Sequence, residues 1–488
     1  MRLDELVARC PDGIVEGAAE VEVTGVSHDS RRLRPGDLFA ALPGLNVHGL
    51  DFLDAAVAAG AVAVLSDADR PPGLDLPWVR SARPRREMAA MAWALAGDPQ
   101  RRLRLVGITG TNGKSTTAAL VAQLLSSGGE ATAVVGTLGA QLGDRTLAAT
   151  ERTTPESTDL AAIFRSVLEG GGAAVAMEVS SHGLMQDRVA GLEFEVAVWT
   201  NLSRDHLDFH LDMESYFAAK RRLFDDHLAP DGRRVLPVDD AWGSRLLDEP
   251  RAGDVSWGLD RGDVCARALR SDLEGSTFEL RLPDASVEVR LPLVGIHNLR
   301  NALAAAAAAH AFGTPADAIA QGLGAARPLR GRLEPVETGL GLPVFVDYAH
   351  TPEGLRAVLQ SLARITDRRM IVVFGAGGDR DRGKRGPMGF AVGELAEVAV
   401  VTSDNPRSED PAAIAEAVAA GVRAAGKEPL VELDRRAAIA RALELADARS
   451  LVLVAGKGHE ATQTIGARRI PFSDQDVIRE EAERLPCS

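Results

Sequence analysis

The stretch VGITGTNGKSTT, residues 106–117, joins an apolar run to a run of helix-forming residues. Residues 103–108 are mostly apolar, as in a buried strand, and residues 118–125 are rich in Ala, Leu and Val, as in a helix. A strand, a glycine-rich loop and a helix in this order are typical of a phosphate-binding loop, whose backbone N–H groups and helix dipole face phosphate oxygens. Lys114 adds a cation, and the Ser115 hydroxyl can ligate Mg²⁺. The stretch therefore predicts nucleotide binding.

The glycine spacing departs from the strict pattern G-x-x-x-x-G-K-[ST]. That pattern requires a glycine at position 108, which is Ile108, whereas the glycines lie at 107, 110 and 113. A glycine-rich turn without a ligand is the alternative interpretation. The Gly-Lys-Ser-Thr-Thr ending, between a strand and a helix, favours the nucleotide site.

Length and composition limit the class of protein. A chain of 488 residues is too long for one core, and about three domains are expected. The net charge of −14 argues against nucleic acid or an anionic membrane as the main partner. Three cysteines without metal-like spacing, an acidic N-terminus unlike a signal peptide, and an apolar run at 302–309 too short to cross a bilayer predict a cytoplasmic protein.

Alternating helix and strand patterns predict an α/β fold of three domains: residues 1–95, 96–326 and 327–488. The first is a small α/β module. The second is a P-loop ATPase-like domain with a mostly parallel sheet, because its apolar runs are nearly continuous, and residues 250–294 alternate as in an antiparallel portion. The third is a doubly wound, Rossmann-like domain.

Polar residues follow several of the predicted parallel strands, at the edge where ligands bind in open α/β sheets. Glu178 precedes a Ser-Ser-His-Gly sequence, and residues 201–210 carry Asp205 and His206. A carboxylate and an imidazole beside Ser115 would suit Mg²⁺ bridged to nucleotide phosphates. Helix caps and turns are the alternative for each position alone, but their occurrence at successive strand ends favours a functional site.

Two further basic stretches have weaker meaning by themselves. Residues 216–224 form an amphipathic helix whose basic cluster, including Lys220, is interpreted by default as a solvated face. In the third domain, residues 375–385 form a glycine turn crowded with cations, and residues 403–407 and 456–460 follow further strands. Arginines beside Asp and Glu suit a zwitterion, because arginine binds carboxylates and carboxylates bind ammonium groups.

Taken together, these motifs resemble the Mur ligases, ATP-dependent amide-forming enzymes of peptidoglycan precursor synthesis. The resemblance runs over nearly the whole chain, and the shifted glycines of the phosphate loop are a family mark. It rests on residues 107–117, Thr153-Thr154-Pro155, residues 177–184, residues 201–206, His297-Asn298 with Asn301, residues 347–350 and residues 404–407, with the N-terminal Asp29-Ser30-Arg31 and residues 35–39.

The resemblance implies a site for ATP with two Mg²⁺ ions. The catalytic residues would be Lys114, Glu178, His206 and Lys220. Mg²⁺ would be held by Ser115, Glu178, His206 and Lys220, the last as a carbamylated lysine whose new carboxylate replaces a cation. This overturns the default interpretation of Lys220. The implied ATP-binding residues are Gly110, Thr111, Asn112, Gly113, Lys114, Ser115, Thr116, Asn301, Arg332 and Asp347.

Two more substrates are implied, since the motifs resemble the branch of the family that adds a third residue to UDP-N-acetylmuramoyl-L-alanyl-D-glutamate. That substrate would bind the first domain and the second at Ser30, Leu45, Asn46, Val47, with His48 next in the segment, Thr153, Thr154, Ser180, Gln186 and Arg188. The amino acid would bind Arg380, Asp404, Asn405, Pro406, Arg407, Gly456 and Glu460.

The sequence Asp-Asn-Pro-Arg at 404–407 is similar to the form found in meso-diaminopimelate enzymes, and Arg407 suits a distal carboxylate that lysine lacks. The expected reaction is therefore ATP-dependent amide formation with meso-2,6-diaminopimelate through an acyl phosphate, by a monomer without nucleic-acid or membrane partners. Three alternatives remain: the same ligase using L-lysine or L-ornithine, a folylpolyglutamate synthase, and a non-catalytic nucleotide-binding protein. The hundred residues before the phosphate loop disfavour the synthase, and intact Lys114, Glu178, His206 and Lys220 disfavour the non-catalytic protein.

Overall fold

The structure, a computed structural model, describes residues 1–44, 47–207 and 209–485. Leu45 and Asn46, both predicted to contact the UDP-sugar, lie outside the described residues. The chain divides into two compact units. The first unit comprises residues 1–265, 281–286 and 302–322, and the second comprises residues 266–280 and 287–301 with the chain from 323 onward. The predicted domain boundaries at residues 95 and 326 stay predictions.

The N-terminal part of the first unit is a small sheet with helices, ordered β1-β5-β4-β3-β2. β2 and β3 pair in parallel, although a short Pro-Gly-containing segment connects them, and β1 is the antiparallel edge strand. The strands are β1 (Ile14–Glu16), β2 (Gly25–Ser27), β3 (Asp37–Ala41), β4 (Ala63–Ser66) and β5 (Trp78–Arg80), and the helices are α1 (Leu3–Val7), α2 (Leu53–Ala58) and α3 (Pro84–Leu95).

The central sheet of the first unit has the order β13-β12-β11-β6-β10-β7-β8-β9. It is parallel from β13 to β7 and antiparallel across β7, β8 and β9, so the predicted mostly parallel sheet is confirmed. Its strands are β6 (Arg104–Thr109), β7 (Thr132–Gly136), β8 (Gly139–Leu142), β9 (Arg145–Ala148), β10 (Ala174–Glu178), β11 (Phe194–Trp199), β12 (Leu228–Pro237) and β13 (Val255–Trp257). Its helices are α4 (Lys114–Ser127), α5 (Ser157–Glu169), α6 (Ser181–Met185) and α7 (Met213–Asp225).

Residues 265–324 add a small sheet, ordered β14-β15-β16, and two helices. Two residues connect β14 to β15, a length that only an antiparallel pair permits, as predicted for this region. The elements are β14 (Cys265–Asp272), β15 (Gly275–Arg281), β16 (Ser286–Leu291), α8 (Ile296–Phe312) and α9 (Ala316–Gly324). The alanines at 302–309 are fully buried in α8, and no described helix is long and apolar enough to cross a membrane.

The second unit contains a sheet ordered β17-β18-β22-β19-β20-β21, parallel except for the edge strand β17, and the hairpin β23-β24. The predicted doubly wound arrangement is therefore confirmed. The strands are β17 (Glu334–Pro335), β18 (Val344–Asp347), β19 (Arg369–Phe374), β20 (Val398–Val401), β21 (Leu430–Val431), β22 (Ser450–Ala455), β23 (Thr462–Ile465) and β24 (Arg468–Pro471). The helices are α10 (Pro352–Ala363), α11 (Arg385–Leu395), α12 (Pro411–Ala424), α13 (Arg435–Glu444) and α14 (Asp474–Ala482).

Candidate active site

Each of the three glycines in the phosphate loop, residues 107–116, is required at its position for a different structural reason. A Cβ on Gly107 would lie 2.9 Å from the Phe194 ring, because β6 packs closely there. Gly110 has φ of 147°, and a Cβ there would lie 1.9 Å from Thr200 Oγ1. Gly113, with φ of 85°, precedes the first residue of α4. The spacing 107, 110 and 113 thus follows from packing and from left-handed backbone, where glycine is favoured.

Two lysines converge on one carbonyl oxygen of this loop. The Lys114 ammonium donates to the carbonyls of Gly110 and Thr111 at 3.0 and 2.9 Å, and Lys220 Nζ donates to the Gly110 carbonyl at 2.8 Å. Lys220 is 1% exposed, so the default interpretation of a solvated face is wrong for this residue. Burial and the nearby charge of Lys114 lower the pKa of Lys220 well below its ordinary value.

Residues after β11 hold the phosphate loop from one side. The side-chain oxygen of Asn201 accepts from Asn112 N at 3.1 Å, and its amide donates to the Asn112 carbonyl at 3.0 Å. Thr111 Oγ1 accepts from Ser203 N at 3.0 Å. His206 lies farther along, with φ of 54°, a half-exposed ring and Nε2 3.5 Å from Asp205. The predicted ATP residues Thr111 and Asn112 thus lie in hydrogen-bond contact with Asn201 and Ser203.

Glu178 ends β10 with its carboxylate held by Thr137, a residue that the sequence did not single out. Glu178 Oε1 accepts from Thr137 N at 2.8 Å, and no lysine or arginine in the described parts of the chain forms an ion pair with it. The described residues include no cluster of three or more His, Cys, Asp or Glu suited to a metal. Glu178 and Ser115 are nevertheless both buried oxygen donors, the ligand type that Mg²⁺ prefers, so the chemistry of each suits the ion.

Four residues predicted for the dipeptide arm form one hydrogen-bonded network. Thr154 Oγ1 lies 3.0 Å from Ser180 Oγ, and Arg188 donates to the Thr154 carbonyl at 3.0 Å and to Gln186 Oε1 at 2.5 Å. Thr153, which precedes Thr154 in the chain, accepts from the Thr137 hydroxyl at 3.0 Å, and Thr137 N in turn donates to Glu178 Oε1. The network therefore adjoins the carboxylate of Glu178 through Thr137.

An arginine cluster around Glu156 adjoins this network and was not foreseen. Glu156 is buried and accepts from Arg85 of α3 at 2.8 Å and from Arg152, and it lies 3.2 Å from Arg188 Nε. Burial lowers the pKa of Arg188 to about 10 despite this carboxylate. The cluster has three cations against one carboxylate, a charge balance that suits an anionic ligand.

The predicted UDP-sugar residues of the N-terminal sheet are only partly brought together. Asp29 accepts from the backbone and side chain of Arg31, which hold the pKa of Asp29 at about 2, so the turn interpretation of this segment is satisfied locally. Ser30 is half-buried in the same turn. Val47 is 55% exposed, and His48 Nε2 lies 2.9 Å from Asp67.

The residues predicted for the adenosine end of ATP belong to the second unit. Asp347 uses both carboxylate oxygens on backbone, accepting from Leu333 N at 2.7 Å and Ala349 N at 2.8 Å. The Arg332 guanidinium lies 5.0 Å from the centre of the Tyr348 ring. Asn301 is buried beside Asn298. The structure thus gives Asp347 a role in shaping its own loop.

The strand-end cluster, defined as residues 404–407 with Arg380, Gly456 and Glu460, lies at the carboxyl ends of β20, β19 and β22. Asn405 donates to Glu460 Oε2 at 2.8 Å and to Asp404 Oδ1 at 3.0 Å. Gly456 has φ of 112°, and a Cβ there would lie 2.6 Å from Asp404 Oδ2, so only glycine permits this approach. All predicted amino-acid residues are therefore near one another.

The charged side chains of this cluster that form no ion pair among the described residues indicate what kind of ligand it suits. Arg407 donates to the Gly378 carbonyl at 2.6 Å, and a Cβ on Gly377 would touch both Arg407 and Arg380. No carboxylate of the described residues pairs with Arg380 or Arg407, and no cation pairs with Asp404, whereas Arg382 and Arg385 nearby both pair with Glu409. Two guanidinium groups and one buried carboxylate thus remain for a ligand.

Two buried cations beneath this cluster were not foreseen. Lys457 lies inside the predicted motif at 456–460 but was assigned no role; it is fully buried and bonded to Glu460. Arg435 forms a fully buried pair with Asp474, at 2.7 Å, and donates to the Ala455 carbonyl at the end of β22. An arginine on a helix pattern carries no sequence signal for such a position.

Comparison with known proteins agrees with this geometry. Family models match in three segments: "Mur ligase family, catalytic domain" at residues 22–90, "Mur ligase middle domain" at 108–309 and "Mur ligase, glutamate ligase domain" at 331–458. The chain is 43% identical over 484 residues to the UDP-N-acetylmuramoyl-L-alanyl-D-glutamate–2,6-diaminopimelate ligase of Solibacter usitatus, covering 98% of each chain. It is 44% identical to the enzyme of the same name from Streptomyces avermitilis, over 95% of this chain and 93% of the relative.

Solved structures give the same assignment. A structure of a UDP-N-acetylmuramoyl-L-alanyl-D-glutamate–2,6-diaminopimelate ligase superposes with a TM-score of 0.69 at 33% identity, covering 99% of both chains. The fold is also shared with a folylpolyglutamate synthase of Mycobacterium tuberculosis, at 22% identity, a TM-score of 0.64, and coverage of 81% of this chain and 93% of that one. The chain belongs to the Mur ligase family.

Proposed function

We propose that this ligase joins meso-2,6-diaminopimelate to UDP-N-acetylmuramoyl-L-alanyl-D-glutamate, with ATP converted to ADP and phosphate. The names of its relatives support the substrates. The observation that carries the choice of amino acid is the charge left over in the strand-end cluster: Arg380 and Arg407 without carboxylate partners, and Asp404 without a cation, among the described residues. Diaminopimelate has two carboxylates and two amines, whereas lysine and ornithine offer only one carboxylate to two arginines.

The phosphate loop would bind and orient ATP. The Lys114 ammonium, which donates to the carbonyls of Gly110 and Thr111, would turn toward the transferring phosphoryl group and offset its charge. The D-glutamate carboxylate would attack that phosphorus, forming a carboxyl C–O–P linkage while ADP leaves. The network of Thr154, Ser180 and Arg188 would orient this arm beside Glu178.

Mg²⁺ ions, when bound, would offset the negative charge of the ATP phosphates during phosphoryl transfer. We propose that Ser115, Glu178, His206 and Lys220 would hold them. Lys220 would do so as a carbamate, formed when its neutral amine adds to carbon dioxide and loses a proton. The lowered pKa of Lys220 supports this step, because burial favours the neutral amine that reacts. Asn301, Arg332 and Asp347 stay predictions for the adenosine end of ATP.

The second step is amide formation. An amine of diaminopimelate, deprotonated, attacks the acyl phosphate carbon, and the tetrahedral intermediate expels phosphate as its C–O bond breaks. Water must be excluded at this stage, or the acyl phosphate hydrolyses. We further propose that the enzyme works as a monomer in the cytoplasm, where ATP is available, without nucleic-acid or membrane partners.

The test is phosphate release from ATP by the purified protein, with each substrate omitted in turn. We expect release only when UDP-N-acetylmuramoyl-L-alanyl-D-glutamate and diaminopimelate are both present. Release that is indifferent to the UDP-sugar would contradict the assignment. Nucleotide binding without release under any condition would instead support the alternative of a non-catalytic nucleotide-binding protein.

A further inference from the structure

Lys457 is the most deeply buried lysine of the second unit, and its ammonium has three partners in one small region. It pairs with Glu460 Oε2 at 3.1 Å, donates to the Thr462 carbonyl at 2.7 Å, and lies 3.4 Å from Asn405 Oδ1. A fully buried ammonium is costly unless it is paired and hydrogen-bonded, so this position needs a compensating reason.

Two of these partners, Glu460 and Asn405, belong to the strand-end cluster, and Lys457 fixes both of them. Asn405 Oδ1 accepts from Thr464 N at 2.9 Å as well as facing Lys457, so its amide NH₂ must point the other way, toward Asp404 and Glu460. Burial alone would raise the pKa of Glu460, but the charge of Lys457 and the Asn405 amide hold it below its ordinary value.

Charge balance shows what this arrangement does to the cluster. The charged groups are the buried carboxylates Asp404 and Asp474, the partly exposed carboxylate Glu460, and two buried cations, Lys457 and Arg435. Arg435 neutralises Asp474 and Lys457 neutralises Glu460, so one carboxylate, Asp404, is left for a ligand ammonium. Without Lys457 the cluster would have two competing anionic acceptors and a rotatable Asn405 side chain.

We propose that Lys457 is a positioning residue for the incoming amino acid: its ion pair with Glu460 and its contact with Asn405 fix the acceptor geometry and leave Asp404 as the uncompensated carboxylate. This rests on the proposed function of the strand-end cluster. Lys457 itself touches no reacting atom. It acts on the affinity for the diamino acid and not on the phosphate loop, which belongs to the first unit.

The test measures steady-state kinetics of the Lys457→Met and Lys457→Gln variants of the full chain. We expect KM for diaminopimelate to rise about ten- to a hundredfold, the loss typical of a buried hydrogen bond to a charged group, with KM for ATP and for the UDP-sugar unchanged. The glutamine variant keeps a donor for the Thr462 carbonyl without the charge, so it tests the ion pair even if the methionine variant does not fold. Lys427→Met is the matched control, because Lys427 of the same unit donates to the Ala396 carbonyl outside the cluster.

Two further readouts separate positioning from a merely structural role. Removing the charge should move the acidic limb of kcat/KM for diaminopimelate to higher pH, because the pKa of Glu460 rises without Lys457. In a Glu460→Gln background, Lys457→Gln should have a smaller effect on KM than in the wild type. An unchanged KM for diaminopimelate in the folded variants would overturn the proposal. So would an acidic limb of kcat/KM at its wild-type pH, combined with effects of Lys457→Gln and Glu460→Gln on KM that are fully additive. A wild-type protein that does not use diaminopimelate would instead overturn the proposed function.

Discussion

The phosphate loop and the strand-end cluster both lie at the carboxyl ends of parallel strands, but they hold charge in opposite ways. The phosphate loop gathers cations: Lys114 and Lys220 both donate to the Gly110 carbonyl, and burial, together with the charge of Lys114, lowers the pKa of Lys220. In the strand-end cluster, Glu460 is paired with Lys457, and Arg435 and Asp474 pair with each other beneath it, so that Arg380, Arg407 and Asp404 are left without an ion pair among the described residues. In the phosphate loop, the backbone conformation determines which ligand binds. In the strand-end cluster, the charged side chains without an ion pair determine it.

This difference means that the two sites should fail in different ways when they are altered. Changes at the phosphate loop should abolish turnover with every amino acid, because all of them require the same phosphoryl transfer. Changes at the strand-end cluster should alter which amino acid is used and at what concentration. The following predictions run from the largest expected effect to the smallest.

Lys220→Ala should reduce kcat by about a thousandfold, as expected when charge stabilisation of a phosphoryl transfer is lost. Because the proposed role is that of a carbamate, added formate or acetate should restore part of the rate. The measurement is phosphate release with and without the short carboxylate. Arg221→Ala is the matched control on α7, because Arg221 is paired with Asp225 and Glu249 at the surface. Full activity of the Lys220 variant would exclude an essential carbamate.

Gly110→Ala should reduce kcat/KM for ATP by about a hundredfold, because the new Cβ would lie 1.9 Å from Thr200 Oγ1 and φ is 147°. Gly129→Ala is the control, since Gly129 also has positive φ but an added Cβ there would have no atom within 4 Å. Its cost should be limited to stability, at about 1 kcal/mol. Thermal unfolding and ATP-dependent phosphate release distinguish these outcomes, and equal losses of activity in the two variants would show that backbone strain alone is responsible.

Arg407→Ala should lower kcat/KM for diaminopimelate about thirtyfold more than kcat/KM for lysine, because only diaminopimelate presents a distal carboxylate to this guanidinium. Arg382→Ala is the control in the neighbouring loop, since its charge is already paired with Glu409. The two amino acids are compared in the same assay. Equal losses for both would remove Arg407 from the specificity argument.

The smallest effect concerns pH. The pKa of Glu460 is held below its ordinary value of 4.5, so this carboxylate stays ionised as pH falls toward that value and protonates only at lower pH. KM for diaminopimelate should therefore change by less than about threefold between pH 7 and pH 5.5 through this group. A steep rise in KM over that interval, absent from KM for ATP, would show that the ion pair with Lys457 does not act as described.

The sequence predicted the sheets because long apolar runs such as those of β6, β10 and β11 have few other ways to be buried. It also predicted the phosphate loop, since the Gly-Lys-Ser ending is local. The parallel pairing of β2 and β3 was not apparent, because a Pro-Gly segment between short strands has no signal for strand direction. Pattern alone likewise could not separate fully buried Lys220 from partly exposed Arg221, its neighbour in the same basic helix.

The residues that the sequence missed act through contacts between distant segments. Thr137 holds Glu178 across 41 positions, and Arg435 pairs with Asp474 across 39. Lys457 is close in sequence to Glu460, but its meaning depends on Asn405, 52 positions away. A motif reports which residues are present, whereas the charge that remains for a ligand depends on how the fold pairs them.

The central claim is that the uncancelled charges of the strand-end cluster select a diamino acid with a distal carboxylate. The most direct measurement is phosphate release at saturating ATP and UDP-N-acetylmuramoyl-L-alanyl-D-glutamate, with meso-diaminopimelate, L-lysine and L-ornithine compared as kcat/KM. The account predicts that diaminopimelate exceeds the other two by about a hundredfold or more, as two carboxylates meet Arg380 and Arg407. An equal or higher kcat/KM for lysine or ornithine would contradict it.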